Sequence, residues 1–168
     1  MKVASTRIAL AATLLVGGVF VYVTGQALPD RVASHFGASG LADAFMTRSG
    51  YVTFMTCFVV GFPLIMVVSM AAIFRRAGDS MNIPNRDYWL ANERRSETVA
   101  FLINHATRLS IGLTVFLCFV HKLVAEANTR TPPALDNGSM ISAMVVFFAG
   151  VMLWIGWLYV AFRLPAGR

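Results

Sequence analysis

The sequence predicts an all-α, polytopic membrane protein. Its four transmembrane helices should form two antiparallel hairpins, a four-helix bundle with both termini cytoplasmic. Three observations carry that expectation. Of the 168 residues, 57% are hydrophobic and only 13% are charged, against about 25% charged in an ordinary soluble domain. Four apolar runs, at residues 8–28, 51–74, 99–121 and 140–162, each reach the ~20 residues that a helix rising ~1.5 Å per residue needs to cross a ~30 Å hydrocarbon core. Lysine and arginine gather at the ends of these runs instead of along one polar face. The chain reads as a single transmembrane domain over 1–168, with outer loops at 29–50 and 122–139 and a cytoplasmic loop at 75–98.

Lys2 and Arg7 precede the first run. Gly25-Gln26-Ala27 has the small-x-small spacing of a signal cleavage site, yet the apolar stretch outruns the roughly 7–15 residues of a signal core, so a retained first span is expected. Between the first two runs, the stretch Leu28–Asp43 crowds together Pro29, Asp30, Arg31, His35, Gly37, Gly40 and Asp43. Pro29 stops the first helix and the glycines allow turns, so this stretch reads as a loop capping two spans. The second run holds Gly61 and Pro63 near its middle, where proline should kink the helix, and ends in Arg75-Arg76.

Residues 75–98 form the longest polar segment. Gly78, Asp79 and Ser80 read as a turn, and Asn85 or Asp87 could cap a helix beginning near Arg86. Tyr88, Trp89 and Leu90 stand among charges, as an anchor at the headgroups would. The third run alone carries polar residues inside it: Asn104, His105, Thr107 and Arg108. His121 falls at its outer boundary and reads as an interfacial residue. Residues 122–137 form a second polar loop, and Asp136-Asn137-Gly138-Ser139 reads as a turn and helix cap. The fourth run has no ionisable side chain except Tyr159, which stands with Trp154 and Trp157 near its end.

Charge sets the expected orientation. With a cytoplasmic amino terminus, nine basic residues lie inside (Lys2, Arg7, Arg75, Arg76, Arg86, Arg94, Arg95, Arg163 and Arg168) and four outside (Arg31, Arg48, Lys122 and Arg130). That is the bias of the positive-inside rule, and it places the chain in a cytoplasmic (inner) membrane. The net charge of +6 is explained by this arrangement. Because the aromatic residues lie in apolar runs and not in a basic groove, nucleic acid is not expected as a partner.

Arg108 is the sharpest physical anomaly. Counting back from His121, it lies roughly 9 Å below the inner surface of its span, where a buried arginine costs at least ~2.5–3.5 kcal/mol and should be partnered or reach water. No run supplies an Asp or Glu at that depth. Either its long side chain snorkels to the headgroups, or Asn104, His105 and Arg108 form one intramembrane polar face for a substrate, lipid or partner helix. The histidines do not make a haem or metal site, since His105 and His121 share one helix and His35 is in a loop. His35 is expected to hydrogen-bond within its own loop. Cys57 and Cys118 lie inside apolar runs without paired spacing, so neither zinc nor a disulfide is implied. No serine or cysteine stands beside a His–acid pair, so no catalytic residue, cofactor or metal is expected.

The run Leu28-Pro29-Asp30-Arg31-Val32, followed by His35-Phe36-Gly37, Gly40 and Asp43, resembles a small bacterial membrane domain of unknown function that opens Sdp-type toxin-immunity proteins. Ala33 stands where that family usually has a second proline. The likeness covers about the first 75 residues, and Tyr88-Trp89-Leu90 followed by Glu93-Arg94-Arg95 is similar to a motif after the family's second span. It implies a membrane protein without catalytic residues. Some longer members protect against a secreted toxin, and one lineage signals by sequestering a repressor.

The expected function is therefore a non-enzymatic membrane protein acting by partner binding, immunity-like or sensor-like. Asp30, Arg31, His35 and Asp43 in the outer loop, with Tyr88 and Trp89 in the cytoplasmic loop, are the candidate contacts. The partners would be the lipid bilayer and another membrane protein or complex. One alternative is an accessory subunit of a larger respiratory or photosynthetic assembly. Another is a small transporter or membrane enzyme using the Asn104–Arg108 face.

Overall fold

The computed structural model describes residues 3–76 and 81–163. The expected turn at Gly78–Ser80, together with Lys2 and Arg168, lies outside them. Four helices are long and apolar enough to cross a membrane: α1 (Val3–Gly25), α2 (Arg48–Arg76), α4 (Arg95–Ala127) and α5 (Asn137–Ala161). Between α1 and α2 lie two strands, β1 (Arg31–Phe36) and β2 (Ala42–Thr47), and a single-turn helix α3 (Arg86–Trp89) precedes α4.

The helix ends differ from expectation for local reasons. The first helix stops at Gly25, not Leu28, because Gln26, Ala27 and Leu28 make three-residue turns back to Val23, Thr24 and Gly25 before Pro29. The third span starts at Arg95 and runs past His121 to Ala127. There Lys122 and Glu126 pair at 2.6 Å one turn apart, which favours helix over loop. The second helix continues uninterrupted through Pro63, whose side chain is fully buried. Asp136 caps α5 as expected, accepting from the Ser139 N–H at 3.1 Å and its hydroxyl at 2.9 Å. Asn85 precedes α3 in a left-handed conformation (φ 52°) and makes no cap bond.

Packing pairs fix the directions of the helices. Thr24 meets His121, and Gly17 lies against Thr114 and Cys118, so α1 and α4 run the same way. Gly17 also faces Val59 and Gly25 faces Val52, so α2 runs opposite to them. A Cβ at Gly17 would stand 3.1–3.2 Å from side chains of both α2 and α4. Three backbones therefore meet there, as small residues allow in membrane helices. Phe116 stacks on Phe147 (4.5 Å between ring centres), and His105 contacts Trp154 near the other end, so α5 runs antiparallel to α4.

The core is built from three helices rather than four. Val21, Val52, Val59 and Leu117 join α1, α2 and α4 near the strands, and Leu10, Leu14, Val67 and Ala106 join them further along. No residue of α5 is buried; it lies alongside α4. Polar residues enter the core of α4 because their hydroxyls bond back to their own helix. Thr107 donates to Ile103, Ser110 to Ala106 and Thr114 to Ser110, at 2.8–3.1 Å. Each satisfies itself in a medium without water.

The stretch expected as a loop is a β-hairpin. Arg31 pairs with Thr47, Val32 with Met46 and Ala33 with Phe45, with irregularities toward the turn. Val32 and Ala33 are fully buried against the helices, whereas β2 is largely exposed. Gly40 supplies the positive φ (82°) that the hairpin turn needs.

Candidate functional site

The hairpin and the α4–α5 connection, distant in sequence, form one cap on the bundle. Asn128 is the clamp. Its side chain accepts from the Ala33 N–H at 2.7 Å and donates to the Ala33 carbonyl at 3.0 Å and to Val124 at 2.9 Å. At the turn, Leu41 and Ala134 form a β-bridge, Ala42 donates to Pro133 at 3.2 Å, and Leu135 donates to Gly40 at 2.8 Å. The Asn137 amide donates to the Ala38 carbonyl at 3.0 Å.

That clamp determines which strand edge is open. Because Ala33 turns both its N–H and its C=O to Asn128, away from β2, the pair Ala33–Phe45 is in the non-hydrogen-bonded register. Phe45 therefore turns its own N–H and C=O to the far edge of β2; two residues on, the Thr47 N–H faces the same edge, while its carbonyl begins the hydrogen-bonded ladder of α2. Pro133 occupies that edge only at Ala42. The edge from Phe45 to Thr47 is open.

The candidate contacts of the hairpin fall in pairs. His35 Nδ1 meets Asp43 Oδ1 at 2.5 Å across the strands, both exposed. Arg31 lies over the Phe45 ring, 4.5 Å from its centre. Asp30 pairs with Arg48, whose guanidinium also donates to the Gln26 carbonyl at 3.0 Å. Exposed pairs of this kind add little stability; they present alternating charge and one aromatic ring on a fixed surface.

Tyr88 and Trp89 are half-buried and held by contacts within the protein. The Trp89 indole and the Asn85 amide both donate to the Phe162 carbonyl, at 2.8 and 2.9 Å. The Trp89 ring stands edge-on to Phe162, and Arg94 lies 4.1 Å above Tyr88. Trp89 and Asn85 tie the α2–α4 connection to the end of α5.

The intramembrane residues separate. Asn104 is buried and its Oδ1 has no partner. His105 is buried toward α5, where its Nδ1 accepts from the Trp154 indole at 3.0 Å and its ring packs on Phe101 and Trp157. Since indole nitrogen only donates, that bond makes His105 Nδ1 the acceptor, and Nε2 carries the proton. Arg108 is exposed in a groove beside Phe147 and Trp154. Only His105 and Arg108 share that groove.

One polar cluster that joins three helices is not legible in the sequence. His121, expected at the interface, has no exposed surface. Its Nε2 lies 2.8 Å from Thr24 Oγ1 and its Nδ1 lies 3.0 Å from Tyr51 OH. Thr24 spends its one hydrogen on the Phe20 carbonyl at 2.6 Å, so it accepts from Nε2–H; Nδ1 then accepts from Tyr51. Every proton is accounted for with a neutral ring. In that state His121 donates to Thr24 and accepts from Tyr51, so the arrangement fastens three helices. Three polar residues on three spans, each near the same end, were the available signal, but register between helices is not written in any one of them.

Residues 9–67 match the family model of a domain of unknown function, DUF1648. The match spans most of α1, the hairpin and the first two-thirds of α2. No curated protein and no solved structure matches the chain. Among the described residues, no three or more His, Cys, Asp or Glu side chains gather as metal ligands.

Proposed function

We propose that this chain is a multi-pass inner-membrane protein that works by binding a protein partner through the hairpin cap, without catalysis, in an immunity-like or sensor-like role. The single observation behind this reading is the open edge of β2 on a clamped platform. An extended segment can add to such an edge, main-chain bonds giving affinity and flanking side chains giving selectivity. Here the flanking groups are Arg31 on Phe45 and the His35–Asp43 pair. The nine-to-four distribution of basic residues supports a cap outside the cytoplasm and cytoplasmic termini, and the motif through Leu28–Asp43 supports kinship with Sdp-type immunity proteins. Reporter fusions after Ala42 and Ser80 test the orientation; a cytoplasmic signal from the Ala42 fusion overturns it.

The partner test uses a photo-crosslinking residue at Phe45 in intact cells, with one at lipid-facing Val146 on α5 as comparison. Adducts should form at position 45 and vanish when Thr47→Pro removes one edge N–H. Because the Thr47 hydroxyl also caps α2 by accepting from the Gly50 N–H at 3.1 Å, Thr47→Val, which removes the cap alone, is the control and should keep them. A second reading, accessory subunit of a larger membrane complex, is favoured by α5, none of whose residues is buried. Adducts at Val146 alone, with a large complex on native electrophoresis after gentle extraction, would replace the first reading by the second.

A further inference from the structure

At the end of the bundle opposite the hairpin, a chamber of about 490 Å³ opens between α1, α2 and the start of α4. Arg7, Arg75 and Arg95 line it, one from each helix. Among the described residues no carboxylate lines it and no ion pair involves these arginines. Three like charges around one space repel one another. An anion seated among them converts that repulsion into charge-assisted hydrogen bonds, for which the guanidinium fork suits phosphate oxygens. Asn92 and Ser96 add an amide and a hydroxyl at the mouth.

The inner wall is different. It is made by Ala100 and Ile103 of α4, so the chamber is cationic at the helix ends and apolar toward the span. Its volume falls in the ~300–1,000 Å³ range of small-ligand sites. A free phosphate would use only the polar mouth, whereas an amphiphile with an anionic head would use both parts. The positive-inside rule accounts for basic residues at this end, but it does not require three of them to converge from three helices. We propose that this chamber binds the phosphate of an anionic phospholipid, its acyl chains running along α4. The site is independent of the partner bound at the cap.

The test uses the full chain purified in nonionic detergent, with dioleoyl phosphatidylglycerol or dioleoyl phosphatidylcholine added and retained lipid counted by native mass spectrometry. The expected result is a preference for phosphatidylglycerol of about tenfold, a scale set by charge-assisted contacts. Arg7→Gln/Arg75→Gln/Arg95→Gln should abolish it, and Arg31→Gln/Arg130→Gln at the opposite end should not. Ala100→Trp narrows the apolar part of the chamber without changing any charge and should reduce the preference. Ala100 is exposed, so this variant remains informative if the triple variant aggregates. Undiminished preference in the Ala100→Trp variant overturns the proposal. Full competition by an equal concentration of inorganic phosphate overturns the lipid assignment in favour of a free anion.

Discussion

Asn128→Ala separates a clamped cap from two loops that merely touch. The side chain makes three hydrogen bonds, two of them to the N–H and C=O of Ala33. Ala33 has no exposed surface, so water cannot replace the lost partner unless the hairpin lifts. Two buried backbone groups without partners cost about 1–3 kcal/mol each. Allowing for relaxation, the docked hairpin should lose about 3 kcal/mol, which at ~1.4 kcal/mol per factor of ten is roughly a 100-fold faster opening equilibrium. Hydrogen exchange of the Ala33 amide in detergent reads that number directly. Asn128→Asp keeps the acceptor but loses the donor, and should fall between wild type and alanine. If Ala33 exchanges within twofold of wild type in the alanine variant, the clamp is not what holds β1, and the open-edge argument fails with it.

Four further outcomes follow from the same geometry. Tyr51→Phe removes one bond to His121 and should lower stability by about 0.5–2 kcal/mol, whereas His121→Ala also leaves a cavity and the Tyr51 hydroxyl unpaired and should cost more; thermal unfolding in detergent ranks them. Gly40→Ala places a Cβ 2.8 Å from the Leu135 carbonyl at φ 82° and should destabilise the hairpin–loop bridge by about 1–2 kcal/mol, seen as faster exchange at Leu135. Trp154→Phe deletes the indole bond to His105 and leaves its Nδ1 without a donor, so it should lower stability by about 1–2 kcal/mol, read by thermal unfolding in detergent. Asp136 is held below the usual aspartate range by the Ser139 N–H and hydroxyl; its cap is therefore present above the unfolded-state value and is lost as pH falls through the folded one. Acid and Asp136→Ala should fray the first turn of α5 alike, read by exchange at Ser139.

Composition and run length were enough to fix the number of spans, because crossing a hydrocarbon layer demands a count of apolar residues and little else. Caps were legible for the same local reason: Asp136 needs only the N–H three residues ahead. The hairpin was not. Its strands are six residues each, and the burial of Val32 and Ala33 in β1 depends on packing against the helices and on Asn128, 95 residues from Ala33, which holds that edge.

His121 and Trp89 carry the same lesson in the membrane and at its end. Both were read from their position along the chain, as interfacial residues, and both are engaged by partners on other helices. The sequence by itself determined four membrane spans, polar connections and a basic end, since these follow from solvation of each segment alone. Only the tertiary structure decided that three spans form the core and α5 lies outside it. It likewise decided that His121 is buried with its protons assigned, and that three arginines surround one chamber. Those facts depend on register between helices, which is set by close approach at positions such as Gly17 and by hydrogen bonds between distant residues, and by no property of any one segment.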